Sequence, residues 1–327
     1  MVIQMIRIDL ENKKQNIEQI FWDWFYKYNL KEFLWIIGND ISLQKLIFDS
    51  EEKYLIWKNN SYEYGKKDYK ELKDFFFSSP QKHFQYKEKM ANTKIENESK
   101  IFFLNRYANF RKSQVPKIIH VLDIHSCPYC NRNFIDVYYK GQVKKPNKFN
   151  GDIDHYFPKA KYEYLTLCLY NLIPSCKTCN QEKSDNDKDR IHFHPYMDNH
   201  MGMYRFKTNF KLESDVVDID YLYGLSEEFE IQIFDYLDTK NIDSIQESVE
   251  IFHLKDKYKE MTSFARDIIR KAYIYNNGYL KDFAEEYSSI LNEKEIINIL
   301  FDYEEENFLN KSLSKFKYDL MKEFDVI

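Results

Sequence analysis

Glycine and proline are scarce in this chain, seven each among 327 residues. So few loop-formers exclude collagen-like and turn-rich architectures, and they leave a chain built mostly of helices with short connections. Long hydrophobic runs are missing too. The longest apolar run near the amino terminus, Phe33 to Ile37, is far too short to cross a bilayer, and no basic start followed by an apolar stretch marks a signal peptide. The chain therefore reads as soluble and cytoplasmic, with no membrane partner. Cysteine is limited to five residues, which in a reducing compartment do not build a disulfide framework. A G-x-x-x-x-G-K-[ST] phosphate loop is lacking, so the chain cannot power translocation itself.

Aromatics abound instead, with 27 Tyr and 26 Phe, and hydrophobic residues reach 43%. That excludes wholesale disorder and provides for a buried core, and the length suits about two domains. The net charge of −5 hides a segregation. Residues 201–327 hold 16 basic and 27 acidic residues, whereas residues 1–200 hold 32 and 26. Within 61–120 the count is 13 against 7, with Lys66, Lys67, Lys70, Lys73, Arg106, Arg111 and Lys112 among the basic residues. A basic front and an acidic rear suit a protein that lays one face on phosphates, although a solvated helix face has the same composition.

Apolar spacing of three to four in Ile17, Ile20, Phe21, Trp24 and Phe25, and in Ile101, Phe102, Leu104, Tyr107 and Phe110, predicts helices up to about residue 118. From Asn133 the period becomes two. Phe134, Val137 and Tyr139 lead to a turn at Lys140-Gly141, and the segment from Phe149 to Ile153 returns, which predicts a β-hairpin. A short helix is expected at 163–170, an interruption at Pro174, and one or two helical turns from Cys179 to Asn186. Strands are expected near Tyr204–Phe210 and Phe229–Phe234. Helices follow at Leu254–Tyr275, Tyr279–Ile290, Lys294–Phe308 and Leu313–Phe324.

Four of the cysteines form two matched pairs, Cys127-Pro128-Tyr129-Cys130 and Cys176-Lys177-Thr178-Cys179. Each C-x-x-C knuckle turns two thiolates toward one ion, and together they make a four-cysteine zinc site. Four thiolates leave no place for water, so this zinc holds the fold and performs no chemistry. Cys168, in an apolar run, is a core residue. His125, His192, His194 and His200 lie near the knuckles and receive no catalytic role.

Between the knuckles runs Gly151-Asp152-Ile153-Asp154-His155-Tyr156-Phe157-Pro158, then Tyr170-Asn171, then Cys179-Asn180-Gln181-Glu182-Lys183-Ser184-Asp185-Asn186. An Asp-His dyad at a strand end, a later Asn, and an Asn three residues before a Lys resemble the HNH (ββα-metal) endonucleases over residues 127–186. The segment 180–186 resembles the corresponding helix of the HNH domain in RNA-guided CRISPR effector nucleases. Phosphodiester hydrolysis needs a general base, and the neutral imidazole of His155 suits that task. The carboxylate of Asp154 suits a hard divalent ion, Mg2+ or Mn2+. The resemblance implies that Asn180 supplies a second oxygen ligand, a position commonly His in the family, and that Asn171 braces the loop carrying the base. Asp152 stays open between a supporting acid and a strand-end residue. Lys183, Lys159 and Lys148 are candidate phosphate contacts, with Lys140, Lys144 and Lys145 near the dyad, although Lys183 could equally be surface charge.

The fold class expected is thus α+β: a mainly helical protein with a central zinc-stabilised HNH module. Its segments are 1–118 (helical), 119–200 (nuclease module) and 201–327 (mostly helical and acidic). HNH proteins with helical flanks resemble nuclease components of bacterial anti-phage systems, including those of Septu type in which an ATPase subunit pairs with the HNH subunit. This implies a double-stranded DNA endonuclease acting with a partner ATPase. An RNA- or tRNA-directed nuclease and a non-catalytic DNA-binding module are the alternatives.

Overall fold

Phenylalanine spacing organises the first part of the chain, as a computed structural model shows. The structure describes residues 7–63, 69–185, 192–197, 204–211, 217–235, 242–303 and 308–327. The fold is α+β and mainly helical, and the described strands pair two by two. Two compact units divide the chain. One, the helical unit, comprises Asp9–Ile124 and Ile135–Ser175. The other, the cysteine unit, comprises Met1–Ile8, His125–Phe134 and Cys176–Ile327. The segments read from sequence are continuous stretches, whereas each unit gathers separate ones.

Among the described residues of the helical unit eight helices precede the sheets: α1 (Lys14–Tyr28), α2 (Leu30–Asn39), α3 (Ile41–Phe48), α4 (Glu51–Glu63), α5 (Lys70–Phe76), α6 (Pro80–Lys89), α7 (Asn97–Ser113) and α8 (Val115–Leu122). Phe21 and Phe25 of α1 share one face, as residues four apart must. Phe25 meets Phe76 at a centroid distance of 4.5 Å, Phe21 meets Phe110 at 5.2 Å, and Phe33 meets Phe102 at 5.3 Å. All six rings are buried, each contributing about 1.5–3 kcal/mol relative to exposure. Asp40 joins distant segments. Its Oδ1 accepts from Leu43 N to cap α3, and its Oδ2 accepts from Glu96 N and Ser99 Oγ at the start of α7. Ser79 and Pro80 are the N-cap and first residue of α6.

The predicted hairpin is divided. β1 (Val137–Tyr138) pairs with β2 (Lys148–Phe149), whereas β3 (Asp152–His155) pairs with β4 (Leu172–Ser175), both antiparallel. The extended segment 149–153 therefore serves two sheets. Gly151 makes the switch: a Cβ there would lie 2.5 Å from Phe149 Cζ and 2.7 Å from Ser175 O, so only glycine lets β2 turn into β3 this tightly. Pro174, expected to interrupt, sits within β4 opposite Ile153. A strand in a two-stranded sheet has one edge without a ladder partner, where proline's missing N–H costs little. Between β3 and β4 the expected short helix is two 3-10 turns, Glu163–Leu165 and Leu169–Asn171.

The cysteine unit contains α9 (Lys177–Asp185), β5 (Tyr204–Phe210), β6 (Phe229–Asp235), α10 (Ile242–Ile251), α11 (Leu254–Lys259), α12 (Thr262–Ile274), α13 (Asn277–Glu286), α14 (Glu293–Phe301) and α15 (Ser314–Glu323). β5 and β6 pair antiparallel, with Phe206 opposite Ile233. α15 caps β5 through Asp319 Oδ2, which accepts from Phe206 N at 2.8 Å, and through Glu323, which accepts from Thr208 N. The helix expected over Leu254–Tyr275 is two helices, because the chain breaks at Glu260-Met261 without a Gly or Pro to announce it. The one expected over Lys294–Phe308 ends at Phe301, where Asp302 turns left-handed at φ 47°. Residues 304–307 lie outside the described residues. α10 was not anticipated. No described helix is long and apolar enough to cross a membrane.

His83 carries a pH consequence. It is fully buried on α6, its Nε2 3.0 Å from Ser78 Oγ, and Ser78 Oγ donates to Phe75 O. Nε2–H thus donates to the hydroxyl, and the neutral ring is the form that fits. Burial pushes the imidazole down from 6.5 to about 3. Because the unfolded chain takes up a proton below about 6.5 and the folded one does not, acid withdraws stability between about 6.5 and 3, by up to about 1.4 kcal/mol per pH unit. Urea unfolding at pH 7 and pH 5 is expected to show a shallower acid loss in His83→Gln than in the wild type. Equal slopes would remove His83 as the cause.

Candidate metal centre and candidate active site

Cys127 and Cys130 lie in one tight turn, and Cys176 and Cys179 lie at the start of α9. All four are buried, and their sulfurs lie within 4.8 Å of one another. A tetrahedral ion with bonds of about 2.3 Å sets its sulfurs about 3.8 Å apart, so the cluster can hold a structural metal such as zinc. The hydrogen bonds fit thiolates. Cys176 N donates to Cys127 Sγ at 3.3 Å, Arg132 N to Cys130 Sγ at 3.5 Å, and Cys179 N to Cys176 Sγ at 3.4 Å. Asn133 Nδ2 adds a second bond to Cys176 Sγ, and Lys257 Nζ reaches Cys179 Sγ at 3.3 Å. Every sulfur therefore receives a donor, and the N-terminus of α9 adds its partial positive charge.

Distant chain holds the first knuckle. Tyr258 Oη donates to Cys130 O at 2.8 Å. Buried Asn131 donates from Nδ2 to Ser126 Oγ and Phe308 O, and its Oδ1 accepts from Lys315 N. Lys257 also pairs with Glu182 of α9. None of these residues was singled out in the sequence: Lys257 and Tyr258 sit far from the motif, and Asn131, beside it, finds partners at Phe308 and Lys315.

In the helical unit β3 places Asp154 and His155 in succession, both buried at 4% and 7% exposure. His155 Nε2 lies 3.1 Å from Thr166 O. A carbonyl can only accept, so Nε2 carries the hydrogen and Nδ1 is the ring's acceptor. Tyr107 of α7 packs edge-on against the imidazole at 4.4 Å, while its hydroxyl donates to Ile153 O at 3.3 Å. Burial raises the Tyr107 phenol well above its ordinary range, so it stays a neutral donor. One turn further along α7, Arg111 pairs with Asp152. Residues 107 and 111 thus meet β3 from a single helix face, a relation hidden when the first is read as scaffold and the second as surface charge.

Asn171 is completely buried beneath the segment that follows the dyad. Its Oδ1 accepts from Phe157 N at 2.8 Å, and its Nδ2 donates to Phe157 O at 3.2 Å and Leu165 O at 3.1 Å. The backbone adds Tyr156 N to Asn171 O at 2.9 Å. Phe157 then packs on Phe84 and His83 of α6.

The other expected residues are dispersed. Asn180, half-buried, and Lys183, buried at 5% exposure, lie on α9 and belong to the cysteine unit, not to the unit of His155. Lys159 is exposed, its Nζ 5.2 Å from the Tyr107 ring centroid, and Lys148 is half-buried on β2. Cys168 is a buried thiol raised above its ordinary value by burial, as a core residue would be. His192 and His194 are buried in the cysteine unit, and His200 lies outside the described residues. No family model, no curated protein and no solved structure matches the chain.

Two outcomes test these centres. Elemental analysis is expected to find one tightly held metal ion per chain, lost in Cys176→Ser together with a marked fall in melting temperature. A metal-free wild type with unchanged melting would overturn the assignment. Asn171→Ala removes three buried hydrogen bonds and is expected to cost about 2–4 kcal/mol in urea unfolding, against less than about 0.5 kcal/mol for a substitution at an exposed site.

Proposed function

We propose that the chain is a metal-dependent endonuclease of HNH type that hydrolyses phosphodiester bonds in DNA, with His155 as general base. The observation that supports it most is the tautomer of His155. The carbonyl of Thr166 holds Nε2–H, and so Nδ1 is the nitrogen that carries the ring's lone pair, as a general base needs. This imidazole follows an aspartate on a strand whose exit is clamped by three side-chain bonds.

In this reading His155 Nδ1 takes a proton from water, the resulting hydroxide attacks phosphorus, and the bond from phosphorus to the leaving oxygen breaks. Tyr107 and Thr166 hold the ring in place, and Asn171 keeps the loop after it from shifting. A divalent ion, Mg2+ or Mn2+, would bind the Asp154 carboxylate, a hard oxygen donor, and offset the charge on the phosphate. Lys148 and Lys159 serve as phosphate contacts on the helical unit, and the four cysteines hold zinc as a purely structural ion. With no phosphate loop in the chain, any ATP-driven step falls to a partner ATPase, as in the anti-phage systems that the overall layout resembles.

Supercoiled plasmid incubated with the purified protein is expected to be nicked in Mn2+ or Mg2+ and to stay intact in chelator. His155→Ala should lower the rate by about 100-fold or more while melting temperature and zinc content hold. Undiminished nicking by the folded variant would refute the assignment of the base.

A further inference from the structure

The hairpin that precedes β3 has a composition that packing does not explain. From Val137 to Phe149 the chain places four lysines, Lys140, Lys144, Lys145 and Lys148, and no acidic residue. Among them Tyr138 and Tyr139 are 50% and 54% exposed. Tyr138 closes β1 and Tyr139 follows it, so both exposed rings stand where the ribbon enters its loop. Tyr138 lies directly across from Lys148 in the β1–β2 register, so the two are cross-strand neighbours.

The loop is shaped rather than loose. Asn147 closes it by accepting from Lys140 N at 2.9 Å and donating to Lys140 O at 3.0 Å, and Gly141 takes the left-handed turn at φ 83°. At its base Asn150 Oδ1 accepts from Asp136 N, and Asn150 N donates to Asp136 O. β1 and β2 pack on α8, and the close passage at Gly151 joins them without slack to the strand that carries His155.

Lysines alone suffice to hold a closed duplex, whose backbone phosphates face outward and whose bases are already stacked on one another. Exposed tyrosines gain from a different partner. An unpaired base offers its π-face to a ring, whatever the base, while the neighbouring phosphates meet the lysines.

We propose that this hairpin is a platform for unpaired nucleotides, with Tyr138 and Tyr139 stacking on bases and the lysines neutralising the flanking phosphates. The substrate is then a polynucleotide with a single-stranded stretch, such as a flap or a frayed end, next to the bond that His155 attacks. The platform deepens the endonuclease reading and rests on it for the cleavage step, but its binding can be measured alone.

The test uses the full chain carrying His155→Ala, so that substrate survives, and fluorescein-labelled oligonucleotides: a closed duplex, the same duplex with a flap, and the single strand, each as DNA and as RNA. Anisotropy is expected to show tighter binding to the flap and single strand than to the duplex. Tyr138→Ala and Tyr139→Ala should each weaken single-strand binding about 10-fold and change duplex binding less than about two-fold, whereas Tyr138→Phe retains it. Lys144→Gln should weaken every substrate and reduce the salt dependence of single-strand binding by about 0.7 in log–log slope. The DNA and RNA arms identify the sugar. Single-strand binding unaltered in both Tyr→Ala variants, or equal affinity for duplex and flap, would overturn the platform. Flap binding through the tyrosines, combined with no cleavage by the wild type in Mn2+, would overturn the endonuclease reading and leave the platform standing.

Discussion

The four-sulfur cluster sets the frame. Cys127 and Cys130 belong to the short stretch His125–Phe134, and Cys176 and Cys179 open the long stretch to the carboxyl terminus; both stretches belong to one unit. The residues between them, Ile135–Ser175, belong to the other unit. Bringing the two pairs together therefore closes a long excursion of chain at its base, and such closure costs conformational entropy that a bound metal can offset. On that excursion lie the β1–β2 hairpin, the Asp154-His155 dyad and Asn171. Backbone amides and Lys257 donate to the sulfurs, so hydrogen bonds as well as packing hold this frame.

Within the excursion a second constraint takes over. Asn171 offers an acceptor and two donor hydrogens, and the fold uses one acceptor bond and two donor bonds on Phe157 and Leu165. A side chain that satisfies three backbone groups at once cannot drift without leaving buried polar atoms unpaired, so the turn after His155 has one conformation. Phe157, held from beneath, then seals against α6, where the buried neutral ring of His83 forms part of the floor. The acid sensitivity of that floor and the geometry of the dyad loop are in this way two readings of one packing.

How much of this was legible before the fold was known follows from the range of each interaction. The cysteine pairs were legible because both ligands of a knuckle sit within four residues. Helices with apolar spacing were legible too, and so were β5 and β6, where alternation is local. The division of the hairpin at Gly151 was not, because the atoms that forbid a Cβ there come from Phe149 and from Ser175 on another strand. Lys257, Asn131 and Tyr258 were unreadable for the same reason: their targets lie far away in sequence. His155 was readable as a candidate base, but its tautomer depends on Thr166 O, a backbone atom that no side-chain pattern reveals. The break between α11 and α12 lacks Gly and Pro, so the periodicity ran straight through it.

Charge needs the same discrimination between count and placement. The sequence divides into a basic front and an acidic rear, yet several lysines are not surface charge at all. Lys315 is buried against Asp319, whose other bond holds Phe206 N, and burial lowers the Lys315 ammonium below its ordinary value. Lys257 serves a sulfur and a carboxylate, and Lys183 is buried on α9. Arg111, counted in the basic front, is engaged by Asp152. Phosphate recognition draws on cations whose charge reaches solvent, and in the helical unit these include Lys140, Lys144, Lys145 and Lys159, all exposed. Three of the four lie on the loop between β1 and β2, and the fourth lies four residues beyond His155. Outward-facing lysines thus occur in the stretch of chain that carries the candidate base, as they do on α2, α4 and α7, a placement that net charge along the sequence hides.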